Sequence, residues 1–407
     1  EYEGLADRAD APDFGPAAWN PAAGATAIGA REFLIAYNIN LNTRDRILAN
    51  RIAQKLRESG GPRRDETGAI LRDDGGKTLR APGRFSECRG VGWYIEEYGR
   101  AQISLNLTNF RTTPIHAVFD AATQEAAALG LRVTGSEIVG LVPRDALLAA
   151  GDHYLAAQGK TTGVPEAERI HTAVLTLGLA ELSPFDPAEK IVEYRVDSPG
   201  LVGQTLREFV DELSLGTPTP GGGSVAALAG ALAAALASMV AGLTHGKQGM
   251  ADRREAMEHL GREAQELKDW FLDAVARDAV AFDAVLAANR LPRGTEEERV
   301  ARQQAQQEAY VGAGLVPLEV AEATGAVLEL VLMAVRDGNP NSITDAGVAG
   351  AMARAAAEGA AWNVEVNLSA IEDSAFCSEL EARKAAALAH ARALSTEIAS
   401  SIEAALS

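Results

Sequence analysis

LGREAQELKDWFLDAVARDAVAF, residues 260–282, decides the architecture of the second half of this chain. Its apolar side chains at Leu260, Ala264, Leu267, Phe271, Val275 and Phe282 recur at three- and four-residue intervals, the period of one helix face. Asp278 stands in that stripe where a leucine belongs. A carboxylate there is costly unless it is paired, hydrogen-bonded or protonated. Burial should raise its pKa toward the range useful for moving protons at neutral pH. Two readings are open: a core Asp that bonds a neighbouring helix, or a proton-transfer group.

Outward from this stretch the helical period persists. From Leu206 onward no two-residue alternation occurs, and the pattern predicts helices at about 206–214, 221–244, 251–289, 295–334, 342–369 and 370–405. The breaks are LTHGKQG (243–249), NRLPRG (289–294) and RDGNPNS (336–342). Residues 205–407 therefore read as an all-α bundle. Its small-residue helix 225–243, with Gly230 and Ala234, suggests close helix packing and a surface for pairing two subunits.

Upstream the pattern changes. EFLIAYNINL (32–41) alternates as a strand, and TRDRILANRIAQKLRE (43–58) has helical spacing with Thr43 as N-cap. A Gly/Arg/Asp-rich insertion at 59–84 reads as an exposed hairpin or loop. GVGWYIEEYG (90–99) and RAQISLNLTNF (100–110) form two strands, a helix follows Pro114 to Leu129, and LRVTGSEIVGLV (131–142) is a further strand. This βαββαβ order is that of a ferredoxin-like unit, so the whole reads as an α+β domain over 31–194, a linker at 195–204, and the bundle. Helices after Pro143 and Pro165 complete the first domain, while residues 1–30 read as a long loop.

A net charge of −18 argues against nonspecific nucleic-acid binding. Cys88 and Cys377 lie far apart with no metal-ligand spacing, which predicts reduced thiols, no metal site and a cytoplasmic protein. No apolar run is expected to reach the length and hydrophobicity of a membrane span, and 225–243 reads as a buried helix. The chain begins at Glu1 without Met, and we expect further sequence upstream.

Two motifs carry chemistry. TPTPGGGS (217–224) opens the Ala-rich helix: Gly221, Gly222 and Gly223 leave backbone N–H groups uncovered at a helix N-terminus, with Ser224 as a donor, which suits a carboxylate, a phosphate or a polar heterocycle. The plain alternative is a tight turn. In NPNSITDAGVAGA (339–351), Ser342 and Asp345 have capping-box spacing, so Asp345 reads as a helix cap or as a catalytic residue. Asn363 and Asn367 share a helix face and offer amides to a ligand or partner.

These motifs identify a resemblance. TPTPGGGSVAALAGALAAALASMV (217–240), RDAVAFDAV (277–285), RLPRGTEEER (290–299) and NPNSITDAGVAGA resemble the cyclodeaminase domain of the formiminotransferase-cyclodeaminase family. DFGPAAWNPAAGATAIGAREFLIAYNINL (13–41), VGWYIEEYGRAQISLNLTNF (91–110) and GSEIVGLVPRDALLAAG (135–151) resemble its transferase domain. The resemblance implies tetrahydrofolate as substrate and carrier, polyglutamylated and without a metal, in histidine breakdown. A formimino group would pass from formiminoglutamate to folate. The cyclodeaminase would then close the ring to 5,10-methenyltetrahydrofolate and release ammonia.

By motif, the folate-binding loop falls on Gly15, Pro16, Ala17, Ala18, Trp19, Asn20, Pro21, Ala22, Ala23 and Gly24, and the cyclodeaminase catalytic aspartate on Asp278. Ala23 replaces a family Trp, leaving Trp19 to supply an aromatic face. The transferase's catalytic histidine is expected upstream of Glu1, and His116 reads as structural. Gly221–Gly223 would hold polar ligand atoms, with Asn341 and Asp345 orienting the pterin. Arg290, Arg293, Lys247, Arg253 and Arg254 are candidates for the anionic folate tail. The competing readings are a methenyltetrahydrofolate cyclohydrolase and a non-catalytic module that oligomerises a transferase. A homodimer or larger homo-oligomer is expected.

Overall fold

A computed structural model describes residues 13–14, 26, 28–196 and 200–407. The first half is built on strand β1 (Ile35–Leu41), helix α1 (Arg46–Leu56), the short strands β2 (Gly61–Pro62) and β3 (Arg80–Ala81), then β4 (Cys88–Ile95), β5 (Arg100–Leu107), α2 (Ile115–Ala128) and β6 (Val133–Val139). The main sheet is antiparallel with order β4-β5-β1-β6. Alternation decides its faces. Tyr37, Ile39, Ile103 and Leu105 point into a core closed by Ile52 and Leu56 of α1 and by Ile115 and Val118 of α2. Helix α1 crosses β4 so closely that a Cβ on Gly92 would lie 2.0 Å from the Asn50 backbone nitrogen.

Helices α3 (Arg144–Ala157), α4 (Glu166–Leu177), α5 (Pro187–Lys190) and α6 (Val192–Val196) complete this half. Thr43 is not the cap of α1. Asp45 takes that place, its carboxylate accepting from the Ile47 N–H at 2.7 Å, because a side chain adjacent to the first turn reaches the orphan donor. The insertion is an exposed ribbon of two like modules, RDETGAIL (64–71) and RDDGGKTL (72–79). In each, the Asp carboxylate accepts backbone N–H groups of its own turn and the Arg donates to the glycine carbonyl four residues on.

Beyond a 3-10 turn at Gly200–Gly203 come α7 (Leu206–Leu213), α8 (Gly222–His245), α9 (Arg254–Asn289), α10 (Glu296–Asp337), α11 (Ile343–Leu368) and α12 (Ser374–Leu406). Thr205 and Thr295 start α7 and α10 with full capping boxes, through Glu208 and Glu298. Ser342 opens α11 without a side-chain cap bond, so the capping box expected with Asp345 does not form. The chain instead enters through a 3-10 turn capped by Asn339.

Helix α8 packs against α9, α10 and α11. By length and a mean hydropathy of 2.0 it meets the description of a membrane-crossing helix, contrary to the sequence expectation, yet in the structure more than half of it is buried against its neighbours. It runs antiparallel to α9, with Gly230 under the Phe271 ring and Ala241 beside Gly261, and antiparallel to α11, with Ala226 beside Gly359. The small residues are thus consumed inside one chain. A Cβ on Gly230 would lie 2.5 Å from the Phe271 ring, and Ala234 is fully buried. Neither can be the outward pairing surface suggested by their size.

Pro317 lies inside α10 and lacks the N–H that would bond the Ala313 carbonyl. Asn367 of α11 supplies the missing donor, its Nδ2 lying 2.9 Å from Ala313 O. The first half meets the bundle at the loop before α4. There Ser238 donates to Gly163 O at 3.1 Å, the Thr162 N–H donates to Glu258 at 3.1 Å, and a Cβ on Gly163 would lie 2.6 Å from the Gly261 backbone.

Candidate active site

Two Thr-Pro pairs deliver the chain to Gly221, the N-cap of α8, whose first turn then stands against the last third of α9. Glycine is required at the second turn position: a Cβ on Gly223 would fall 2.1 Å from Asp278 Oδ1. The absence of that carbon lets the carboxylate lie against backbone at the positive end of the helix. Ser224 holds it, its hydroxyl donating to Oδ2 at 2.9 Å and its N–H bonding the same group.

Both readings of Asp278 therefore meet in one place, since it bonds a neighbouring helix and is also electrostatically unusual. It is half-buried, and desolvation raises its pKa above the ordinary carboxylate value, with the Ser224 hydroxyl and N–H opposing the rise. A carboxyl so placed exchanges a proton more readily near neutrality than a surface Asp does. Adjacent Arg277 is held away from it, paired with Asp273 at 2.8 Å and Glu319 at 2.7 Å and stacked over Trp270.

On the other side of the glycine turn a cleft of about 550 Å³ opens, lined by Pro218, Gly221, Gly222, Val225, Trp362 and Asn363 among others. Asn363 donates to Gly359 O at 2.8 Å, and its side-chain amide lies against Gly222, Nδ2 nearer than Oδ1. Trp362, 67% exposed, flanks it. Sequence reasoning noticed the Asn363 amide without assigning it to this site and passed over Trp362. Their spacing from the glycine turn is a tertiary fact, visible only once α8 and α11 are known to be antiparallel.

Gly221, Gly222, Gly223, Ser224 and Asp278 come together as expected. Asn341 and Asp345 do not join them. They start α11, at the end of α8 near Thr244, where the Asn339 N–H donates to the Thr244 hydroxyl at 2.8 Å. At about 1.5 Å per residue, the length of α8 puts them roughly 30 Å from the glycine turn of the same chain. Lys247 and Arg253 belong to that far end too, bonded to Asn339 and to the Asp337 carbonyl. Arg290 and Arg293, just past α9, are on the Asp278 side. Residues 15–24 lie outside the described residues. Among the described residues no cluster of three or more His, Cys, Asp or Glu has the arrangement of a metal site.

His116 is part of the scaffold, as its place at the start of α2 suggested. It stacks on His153 with ring centroids 4.4 Å apart, and burial together with His153 lowers its pKa from 6.5 to about 4.

Comparison with known proteins finds a match in each half of the chain. Residues 36–197 match the family described as Formiminotransferase domain, and residues 205–386 the one described as Formiminotransferase-cyclodeaminase. A formimidoyltransferase-cyclodeaminase of Rattus norvegicus is 38% identical over 99% of this chain and 73% of its own. A methenyltetrahydrofolate cyclohydrolase of Methylorubrum extorquens is 37% identical over 48% of this chain and 94% of its own. A glutamate formimidoyltransferase of Thermoplasma acidophilum is 38% identical over 37% of this chain and 43% of its own. With both domain profiles matched in order and near-full-length identity at this level, the chain belongs to the formiminotransferase-cyclodeaminase family.

Proposed function

We propose that the chain is a folate-dependent one-carbon enzyme whose helical half converts 5-formiminotetrahydrofolate to 5,10-methenyltetrahydrofolate and ammonia. The observation that carries this is the Asp278 carboxyl, raised in pKa by burial, held by Ser224 and pressed on a glycine helix start. In ring closure, folate N10 attacks the formimino carbon on N5, and the tetrahedral adduct expels ammonia. N10 must lose a proton and the leaving nitrogen must gain one. Asp278 takes the first and returns it as the second. The glycine turn and Asn363 orient the pterin in the adjoining cleft, and Arg290 and Arg293 attract the anionic, polyglutamylated tail.

The first half is assigned to formimino transfer from formiminoglutamate to tetrahydrofolate, in histidine degradation, with residues 15–24 as folate loop. We read it as a ferredoxin-like unit, supported by a strand order in which the first and last strands are central and edge neighbours. We place the domains at 31–194 and 205–407 with the linker at 195–204, in keeping with an apolar core in the first half separate from the clusters of the bundle. Unpaired Cys88 and Cys377 suit a cytoplasmic setting.

We further read the enzyme as a homodimer through the outward face of α8 and α11. Leu232, Met239 and Leu243 on α8 and Trp362 and Val366 on α11 are exposed, and the cleft opens beside them. Pairing there would cover them, and an antiparallel partner is one way for Asn341 and Asp345 to reach a site their own chain denies them.

A cyclohydrolase is the second reading, favoured by the Methylorubrum extorquens relative. One assay separates them. Purified protein given 5-formiminotetrahydrofolate should release one ammonia per methenyl product formed, and Asp278→Asn should lose at least about 100-fold in kcat while keeping its circular dichroism, in the range expected for a general acid–base group. Comparable turnover by wild type and variant removes Asp278 from the reaction. Hydrolysis of methenyltetrahydrofolate without ammonia release from the formimino substrate selects the cyclohydrolase.

A further inference from the structure

The helix-free face of the main sheet has a composition that stability does not explain. On the two central strands its positions are Ala36, Asn38 and Asn40 on β1 and Gln102, Ser104 and Asn106 on β5, facing each other in register. Four of these six are Asn or Gln. Asn is depleted in strands, and a solvated sheet face is ordinarily built from β-branched or charged residues instead. Yet Asn40 and Gln102 are fully buried and Asn38 nearly so.

Their orientation is set by chemistry at both ends of a hydrogen-bond chain. The indole N–H of Trp93 can only donate, and it gives to Gln102 Oε1 at 3.1 Å. Gln102 Nε2 gives to Asn40 Oδ1 at 2.7 Å, and Asn40 Nδ2 gives to the Glu181 carboxylate at 2.7 Å, which can only accept. Arg100 anchors Glu181 in turn. Neither amide of this relay is free to rotate.

Glu137 on β6, in register with Asn38, is the one carboxylate borne by the strands of this face among the described residues. Asn38 Nδ2 and Gln102 Nε2 both approach its Oε2 at 3.5 Å, the outer limit of a hydrogen bond. Tyr98, at the β4–β5 turn, also bonds it, and the carboxylate's charge pushes the phenol's pKa up. A half-buried carboxylate with one phenol and two contacts at that outer limit retains accepting capacity, on a rigid floor of amides.

We propose that Glu137, with Asn38 and Gln102 beside it, binds a planar N–C–N donor edge of a transferase substrate. A carboxylate engages two parallel N–H groups in a fork, as it does a guanidinium. Two groups in the proposed reaction present such an edge: the formamidine of formiminoglutamate and the 2-amino-4-oxo edge of the pterin. The inference rests on the transferase reading of this half.

The test is calorimetric titration of the 407-residue chain, wild type and Glu137→Gln, with two matched pairs of probes. Formiminoglutamate is paired with formylglutamate, which lacks the second N–H, and tetrahydropterin with its 2-deamino analogue. Wild type should prefer the N–C–N member of one pair by at least tenfold, and Glu137→Gln should erase that preference while ammonia release by the helical half is unchanged. Preference in the first pair places the donor on this face, and in the second the pterin. Asn38→Ala, which leaves the carboxylate in place, should weaken the preference without abolishing it, and it stands in should the first variant fold poorly. A preference that survives Glu137→Gln, or a wild type indifferent within both pairs, overturns the proposal. If neither formiminoglutamate nor tetrahydrofolate binds the wild type at all, the transferase reading falls with it.

Discussion

At Gly223 a single hydrogen atom separates function from collision. The carboxylate of Asp278 occupies the space a methyl group would take, so Gly223→Ala must push it off the helix start. Alanine suits a helix better than glycine, and the variant should fold while losing at least about tenfold in ring closure. A crystal structure of the variant with Asp278 unmoved and full activity would refute the placement. The carboxyl also predicts a pH signature. Its pKa is higher folded than unfolded, so the folded state binds the extra proton, and the group's contribution is favourable in acid and is lost as pH rises through the folded value. Asp278→Asn should therefore be more stable than wild type at neutral pH, with the difference in Tm shrinking as pH falls through the raised folded value and gone below the ordinary carboxylate range. His116 carries the opposite sign. Its folded pKa is lowered to about 4, so stability present above 6.5 is lost as pH falls toward 4, and His116→Gln should flatten that part of the melting profile.

Among elements, α10 and α11 show a repair that a linear reading misses. Asn363 and Asn367 stand four apart and read alike in sequence, as amides for a ligand or a subunit partner. One faces the glycine turn, and the other replaces the N–H that Pro317 removes. Asn367→Ala should cost about 1–3 kcal/mol by stranding the Ala313 carbonyl. In Pro317→Ala, which restores the helical donor, the same change should cost much less, and a denaturant double-mutant cycle measures the difference. Equal costs would show the contact to be incidental. Helix boundaries in the bundle, by contrast, were legible to within about four residues. The period from Leu260 to Phe282 is interrupted only at Asp278, and breakers such as LPRG (291–294) stand where helices end. The start of α11 was harder, because Ser342 and Asp345 have capping spacing and only the preceding 3-10 turn shows that Asn339 has taken the role. Sites assembled across elements were legible only where a residue violated its own pattern. Asp278 did so, whereas Glu137 did not, since a carboxylate on an outward strand position is ordinary until the amides around it are seen.

For the whole molecule, the inward use of Gly230 and Ala234 moves the dimer test to other residues. Gly230→Leu would strike Phe271 and unfold the bundle. Leu232→Glu with Met239→Glu alters only exposed positions and should lower the mass in solution together with cyclodeaminase turnover, with the secondary structure intact. A fully active monomer would end the shared-site reading. The loop at 161–163 has a different reach. Through Gly163 wedged on Gly261, Glu258 on Thr162 and Ser238 on the Gly163 carbonyl, the halves grip each other more than thirty residues upstream of the bundle's first helix. Their alignment thus owes little to the covalent thread between them. A protein cut between Val196 and Gly200 should still assemble from two separately expressed polypeptides, and co-purification that fails with Gly163→Val would trace the assembly to this wedge. A fused gene would then secure equal supply of two partners that already recognise each other, and fission and fusion of such genes would be structurally neutral events.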